Sequence, residues 1–332
     1  AHAKRRPDLI IRSFPAHPPF MQVFRRPRPG VNAVLPGCVA TIGVFDGFHL
    51  GHQCILDRVR SEALRLGLPA LVFSFEPTPQ EVMHPRQAPA RLMHFRDKVR
   101  FLQTNGIDGF FCPPFEHSLR DCPPEAFIDR LLVRTLAVRH LVIGDDFRFG
   151  QGRAGNIEHL KAGGQRHGFA VEQVGSVIQN GVRVSSTAVR AALAAGNLAH
   201  ARELLGRNYR MSGRVVAGRQ LGRQLGFPTA NIRLQRHQSP LAGIFAVRVH
   251  GLGPQPLDAV ASLGTRPTVA GVEPLLEVHV FDFDADIYRR RIEVEFVAHL
   301  RNEERFADLE ALRRQMECDA AEARRLLTGT PT

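Results

Sequence analysis

The stretch Gly43-Val-Phe-Asp46-Gly47-Phe-His49-Leu-Gly51-His52 decides how the first half of the chain is read. The apolar run CVATIGVF (38–45) ends inside it, and an amphipathic segment from His52 to Leu66 follows. Strand, Gly-rich turn and helix therefore succeed one another directly, with His49 and His52 three residues apart across the first helical turn. Exposed N–H groups and the positive end of the helix dipole make such a turn a site for anions. Two histidines there suit hydrogen bonding to phosphate oxygens on which negative charge develops. A metal centre would need a further ligand at suitable spacing, and no neighbour supplies one.

Outward from this turn the pattern alternates. ALVFSF (70–75), GFFCP (109–113) and HLVIG (140–144) read as buried strands, and FRDKVRFLQTNG (95–106) and 124–136 as helices. VSSTAVRAALAAG (184–196) sets Ser185, Ser186 and Thr187 before an Ala/Leu-rich helix that Gly196 stops, as capping requires. Alternating strands and helices predict a parallel α/β sheet with its ligand site beyond the strands' C-terminal ends. After about Asn208 the segments SGRVVAG, 243–251, 257–264, 275–283 and 290–300 are Val-rich and strand-like. A helical repeat of Phe306, Leu309, Leu312, Met316, Ala320, Ala323 and Leu327 closes the sequence. This second half predicts an antiparallel barrel or sandwich with one C-terminal helix. A length of 332 residues also suits two domains, and the change of pattern places their boundary near Gly206–Arg210.

Composition narrows the function. The formal charge is +12, a balance compatible with nucleic acid, an anionic membrane or a phosphorylated ligand. Half of it lies in residues 1–30, where Lys4, Arg5, Arg6, Arg12, Arg25, Arg26 and Arg28 face Asp8 alone. Residues 1–20 are basic, Pro-rich and without periodicity, so they read as a disordered extension, with Met21 as the expected natural start. They lack a signal peptide's apolar core, and no apolar run is long enough for a membrane helix. Lysine occurs only at 4, 98 and 161, and Gly-Lys is absent, which excludes a Walker-type phosphate loop. Five cysteines without C-x-x-C or zinc spacing read as idle thiols of a reducing cytoplasm. A nucleic-acid binder would interleave aromatics with its bases, yet Trp is absent and Tyr numbers two.

Two further Gly-rich stretches differ in weight. Gly150-Gln-Gly-Arg-Ala-Gly155 satisfies G-x-G-x-x-G, but DDFRF separates it from the preceding strand, so it reads as a flexible loop over the active site. Gly213-Arg-Val-Val-Ala-Gly218-Arg219-Gln-Leu-Gly222-Arg-Gln-Leu-Gly226-Phe-Pro228-Thr229-Ala-Asn231 lets backbone approach phosphates closely. Thr229 and Asn231 add oxygen ligands for a magnesium–phosphate site. Asp282, Asp284 and Asp286 lack the Gly and distal Glu of a calcium loop and read as a hairpin turn.

G-x-F-D-G-x-H-x-G-H resembles the signature of the nucleotidyltransferase superfamily. With FSFEPTPQEV (73–82), RLMHFRDKVRFLQTNGID (91–108), VIGDDFRFGQGRAGN (142–156) and VSSTAVR (184–190), it is similar to bacterial bifunctional riboflavin kinase/FAD synthetases. The string from Gly213 to Asn231, LGTRPT (263–268) and LEVHVFDFDADIY (276–288) resemble the riboflavin kinase module. The resemblance implies a Rossmann-like adenylyltransferase domain over 21–206 and a six-stranded antiparallel barrel with a C-terminal helix over 207–330. It implies phosphorylation of riboflavin to FMN, then adenylyl transfer to FMN, with ATP and Mg2+ in both steps. His49 and His52 would stabilise adenylyl transfer. Gly43, Phe45, Asp46, Gly47, Gly51, Arg183, Ser185, Ser186, Thr187 and Arg190 would bind ATP, and Phe75, Pro77, Pro79 and Asp146 would border the flavin. In the barrel, Gly213, Gly218, Arg219, Gly222, Gly226 and Pro228 would hold ATP, Thr229 and Asn231 the metal, and Glu277 would act as base. The chain departs from the family at Thr78, usually His, and at Arg289, usually Gly. A cytoplasmic enzyme, monomeric or weakly homo-oligomeric, with no nucleic-acid or membrane partner, is expected. The alternative is a single-activity FMN adenylyltransferase whose barrel senses flavin.

Overall fold

The computed structural model describes residues 21–25, 36–218, 222, 225–234, 238–268 and 271–329. The expected extension at 1–20 and Arg219 lie outside the described residues. The strands are β1 (Gln22–Phe24), β2 (Cys38–Ile42), β3 (Ala70–Phe73), β4 (Gly109–Phe111), β5 (Val138–Gly144), β6 (Ala170–Val174), β7 (Ile178–Gln179), β8 (Val182–Arg183), β9 (Arg210–Val216), β10 (Ala230–Arg233), β11 (Gly243–His250), β12 (Leu257–Thr268), β13 (Gly271–Val280) and β14 (Arg291–Arg301). The helices are α1 (Leu50–Leu66), α2 (Pro79–Met83), α3 (Phe95–Thr104), α4 (His117–Arg120), α5 (Pro124–Phe127), α6 (Ile157–His167), α7 (Ser186–Ala194), α8 (Leu198–Leu205) and α9 (Leu309–Thr328).

Two compact units form, and neither is continuous in sequence. Residues 36–44, 55–79 and 99–174 of the first unit, with 21–25, carry a six-stranded sheet in the order β1-β4-β3-β2-β5-β6. Every pairing in it is parallel. Both β2 and β3 are buried along their whole length, which explains why they read as unbroken apolar runs. Phe73 centres the core, stacked on Phe127 at 5.9 Å and edge-on to Phe111 at 4.9 Å. The chain leaves β2 for β3 on one side while β5 pairs on the other, so the strand order reverses at the carboxyl end of β2. Ligands of open α/β sheets bind at such a point. The 124–136 segment is not one regular helix: α5 runs into a π-helical turn over Ile128–Thr135, with Leu136 N–H reaching Leu131 O.

The second unit comprises 45–54, 80–98 and the described residues from 175 onward. Its centre is a closed barrel, β10-β13-β12-β11-β14-β9, filled by Phe245, Phe296, Leu263, Leu276, Val278 and Val294. Closure needs β10, a four-residue strand that the sequence pattern leaves inside the Gly-rich string. α9 starts after Phe306, with Asp308 Oδ1 capping Ala311 N at 2.7 Å, and lays Ala323 and Leu327 on Ala246 and Phe281. The change of secondary structure falls between Leu205 and Arg210, where α8 ends and β9 begins. The compact units nevertheless assign the histidine turn and residues 175–206 to the same unit as the barrel.

Candidate active site

The turn after β2 is built on unusual backbone. Gly43 N–H donates to Phe73 O at 3.0 Å, closing the sheet end in the first unit. In the second unit Phe45, Gly47 and Phe48 have φ of 48°, 87° and 43°. Gly47 is required twice over: its φ is left-handed, and a Cβ there would lie 2.7 Å from the Leu92 side chain. Phe45 and Phe48 are buried and stack on each other at 5.9 Å, so side-chain burial offsets their backbone strain.

Asp46 is the hub. Its Oδ1 accepts from Leu92 N and Met93 N at 3.1 and 2.9 Å, and its Oδ2 accepts from Leu92 N at 2.9 Å and Arg190 Nη2 at 2.6 Å. Arg190 Nε also donates to Ala90 O at 2.6 Å. Ser186 donates to Asp46 O at 2.8 Å, while Ser185 Oγ accepts from Ala188 N at 3.1 Å and caps α7. Thr187 is exposed on the first turn of α7, and Arg183 is exposed on β8. Thus the capping reading of the Ser-Ser-Thr segment describes Ser185, and Asp46 and Arg190 bracket the 90–93 segment against the turn.

His49 and His52 stack face to face, ring centroids 3.7 Å apart at 20°. His52 N–H donates to His49 Nδ1 at 3.3 Å, which assigns His49 the tautomer that carries its proton on Nε2. His52 Nδ1 is buried with no hydrogen-bond partner among the described residues. Burial above all, then the neighbouring charges of His49 and Lys98, hold the His52 pKa well below its usual 6.5. His52 is therefore neutral near pH 7, with a buried nitrogen left to satisfy. Lys98 is 2 % exposed beside them. The sequence pattern did not single it out, although it is one of three lysines in an arginine-dominated chain. Gly51 lies against the His49 ring, where a Cβ would come within 3.2 Å.

In the first unit, Phe75 packs edge-on to Phe115 at 5.6 Å, Pro77 follows a cis peptide bond, Pro79 opens α2, and Thr78 is buried. Asp146 lies two residues past β5, beside Gly144. Gly150–Gly155 forms a short 3-10 turn over Gln151–Arg153 closed by a bridge between Phe149 and Gly155, not a strand-to-helix turn.

The barrel carries a second site. A cavity of about 370 Å³ is lined by Thr229, Ser262, Glu277 and His279, with Leu225, Phe227, Ile244, Val260, Leu312 and Met316 as its apolar walls. Register brings its polar groups together: Glu277 pairs with Asn231 across β10 and with Ser262 across β12. Gly218 abuts Asn231, whose side-chain nitrogen would lie 2.2 Å from a Cβ at 218. Gly222 O accepts from Leu225 N and Phe227 N at 3.1 and 2.8 Å, and Gly226 has φ 86°. Pro228 O faces His279 Nδ1 at 2.9 Å. Gly213 sits elsewhere, on β9 against Ile232 and Arg233, where it permits close strand packing. Arg301 and Asp319, a bidentate pair at 2.9 and 2.7 Å, also line this cavity. They were not legible in sequence, because the pair forms only when α9 lies over β14. Asp282–Asp286 lies in the β13–β14 connection, and among the described residues no group of three or more His, Cys, Asp or Glu is placed to hold a metal ion. Arg289 has φ 65°, left-handed backbone that glycine adopts more readily than arginine.

An FAD synthetase family model matches residues 31–188, and a riboflavin kinase family model matches 205–327. The chain is 47 % identical over 288 residues to the bifunctional riboflavin kinase/FMN adenylyltransferase of Escherichia coli K12, covering 87 % of this chain and 92 % of that protein. It belongs to the bifunctional riboflavin kinase/FMN adenylyltransferase family. The Pseudomonas fluorescens member is 48 % identical over 291 residues, covering 87 % of this chain and 93 % of that one. A crystal structure described as a macrolide-efflux protein from Streptococcus pneumoniae shares the fold with a TM-score of 0.76 at 28 % identity, over 87 % of this chain and 94 % of that one. Among the described residues no helix is long and apolar enough to cross a membrane. In this bifunctional family member the histidine turn and the start of α7 fall within the FAD synthetase match, and Thr229 and the cavity residues on β12, β13 and α9 within the riboflavin kinase match.

Proposed function

We propose a residue-level division of labour for the two reactions of this bifunctional enzyme. The C-terminal barrel phosphorylates riboflavin to FMN with ATP, and the N-terminal part transfers AMP from ATP to FMN, releasing pyrophosphate and giving FAD. The observation that carries the reading is the pair of stacked histidines on a turn fixed by Asp46, next to a capped helix start. His49 and His52 direct N–H edges at the ATP phosphates and stabilise charge as the FMN phosphate attacks the α-phosphorus. Ser185, Ser186 and Thr187 present the first amides of α7 to the same anion, and Arg183 adds charge. Asp46 and Arg190 act by holding the turn and the 90–93 segment in place. Phe75, Pro77, Pro79 and Asp146 border the flavin.

In the barrel, the apolar wall of the cavity suits an isoalloxazine ring, and Glu277 takes the proton from the ribityl hydroxyl as it attacks the γ-phosphorus of ATP, with the γ-phosphorus–oxygen bond breaking and ADP leaving. Gly218, Gly222, Gly226 and Pro228 border the phosphates. The site suits Mg2+: Thr229 and Asn231 offer neutral oxygens, and Gly218, lacking a Cβ, leaves room beside the Asn231 amide. When bound, the ion neutralises the clustered phosphate oxygens. The enzyme works in the cytoplasm, as a monomer or weak homo-oligomer, a setting supported by its use of ATP and by five cysteines outside any disulfide; burial pushes the Cys38 thiol up to about 12.

The test separates the two reactions in the full chain supplied with riboflavin and ATP. His52→Ala suppresses FAD formation while FMN formation stays near wild type. Glu277→Ala lowers FMN formation from riboflavin by about 10²-fold or more, while FAD formation from added FMN stays near wild type. A folded His52→Ala protein that loses both activities equally refutes the assignment.

A further inference from the structure

Beyond the signature motifs, one side chain reaches the histidine turn from 160 residues further along the sequence. Arg207 lies between α8 and β9, inside the riboflavin kinase match and outside the FAD synthetase match. Its Nη2 donates to Gly47 O at 2.6 Å, and its Nη1 to Phe48 O and Leu205 O, each at 3.0 Å. Gln53, on the first turn of α1, donates from Nε2 to Phe48 O and Leu205 O at 2.7 and 2.8 Å. Two side chains thus converge on the carbonyls immediately before His49.

Those carbonyls belong to the least relaxed backbone of the turn. Phe48 has φ 43° and Gly47 φ 87°, and a phenylalanine stays in left-handed backbone only where its surroundings impose it. Rotating the peptide after Gly47 or Phe48 would swing the Cα of His49, and with it the ring that accepts from His52 N–H. A guanidinium holds two carbonyls in a fixed fork, and a charged donor binds each more strongly than a neutral one. Burial lowers the Arg207 pKa to about 10, which leaves it charged at neutral pH.

We propose that Arg207 is a positioning residue for adenylyl transfer: by clamping the Gly47 and Phe48 carbonyls it fixes His49 and His52, so that a residue of the kinase-matching half of the chain sets the rate of FAD synthesis. The inference rests on the histidine turn being the adenylyl-transfer site. Arg207 acts through backbone, so its loss should lower kcat more than it raises the KM for ATP. A misplacement of about 1 Å at reacting groups costs on the order of 10²-fold in rate.

The experiment measures, in the full chain, FAD formation from FMN and ATP and FMN formation from riboflavin and ATP. For Arg207→Gln the expected result is a fall in adenylyl-transfer kcat of about 10- to 100-fold, with KM for ATP and the phosphorylation rate each within about threefold of wild type. Arg207→Lys, which keeps the charge, recovers part of the loss. Gln53→Leu loses rate in the same direction but less, and serves if Arg207→Gln does not fold. Arg210→Gln, which breaks ion pairs to Glu293 and Glu295 on the barrel, leaves adenylyl transfer unchanged. Adenylyl transfer at the wild-type rate in Arg207→Gln, a rise in KM without a fall in kcat, or a parallel loss of both reactions overturns the proposal. His52→Ala measured alongside separates the two readings: if it leaves FAD formation intact, the turn is not the site, and if it abolishes FAD formation while Arg207→Gln does not, only the clamp is wrong.

Discussion

Asp46→Asn changes one oxygen for an NH2 group and, from the contacts around it, should loosen the whole turn. Both carboxylate oxygens are acceptors: Oδ1 serves Leu92 N and Met93 N, and Oδ2 serves Leu92 N and Arg190 Nη2. Whichever way the asparagine is placed, its NH2 faces donors, so at least one amide or the guanidinium loses its acceptor. Breaking a buried charged pair by removing one partner costs about 3–5 kcal/mol. The Asp46 side chain is 6 % exposed and that of Arg190 20 %, so water compensates part of the loss at the arginine. A value near the lower end, about 3 kcal/mol, is expected for local opening of the 90–93 segment. Amide hydrogen exchange reads this directly: Leu92 and Met93 N–H should exchange about 10²-fold faster in the variant, with FAD formation falling and riboflavin phosphorylation retained. Unchanged exchange at both amides together with wild-type FAD formation would refute the view of Asp46 as the hub of the turn.

Gly218→Ala would put a Cβ 2.2 Å from Asn231 Nδ2 and 2.5 Å from its Cγ, so the amide must rotate away. Because the obstacle is the end of one side chain, stability should change little. Phosphorylation should nevertheless fall by about 10²-fold, while FAD formation from added FMN continues; FMN production at the wild-type rate would remove Asn231 from the phosphate site. His52→Asn tests the depressed pKa. Folded His52 binds fewer protons than the unfolded residue, whose pKa is near 6.5, so its burdened share of stability is lost as pH falls below about 6.5. Thermal melts at pH 7.5, 6 and 5 should show the wild type losing stability relative to the variant towards acid, and a difference that stays constant or grows the other way contradicts a neutral buried His52.

Much of the first half was legible because its determinants are local. The apolar runs of β2 and β3, the Gly-rich turn, the capping serine of α7 and the glycines that end helices all act over a few residues, which is the range that spacing encodes. Short or edge elements were not legible. β1 has three residues and β10 four, too few to show a period, and β6 is a half-exposed edge strand without clean alternation. The π-helical Ile128–Thr135 keeps an apolar face like that of an ordinary helix, so composition does not distinguish the two.

The sites divide in the same way. Sequence alone pointed to the residue types to which we assign the chemistry: the histidine pair, the Ser-Ser-Thr helix start, the Gly-rich string ending in Pro-Thr-Ala-Asn, and Glu277. Tertiary structure decided what holds them. Asp46 meets Arg190 across 144 residues, and Arg207 meets Gly47 across 160. Glu277 faces Asn231 and Ser262 only because the barrel closes in that register. No spacing rule reaches such distances, since these contacts exist only after the hydrophobic cores have fixed the chain path, and a side chain that acts by holding another leaves no pattern in its own neighbourhood.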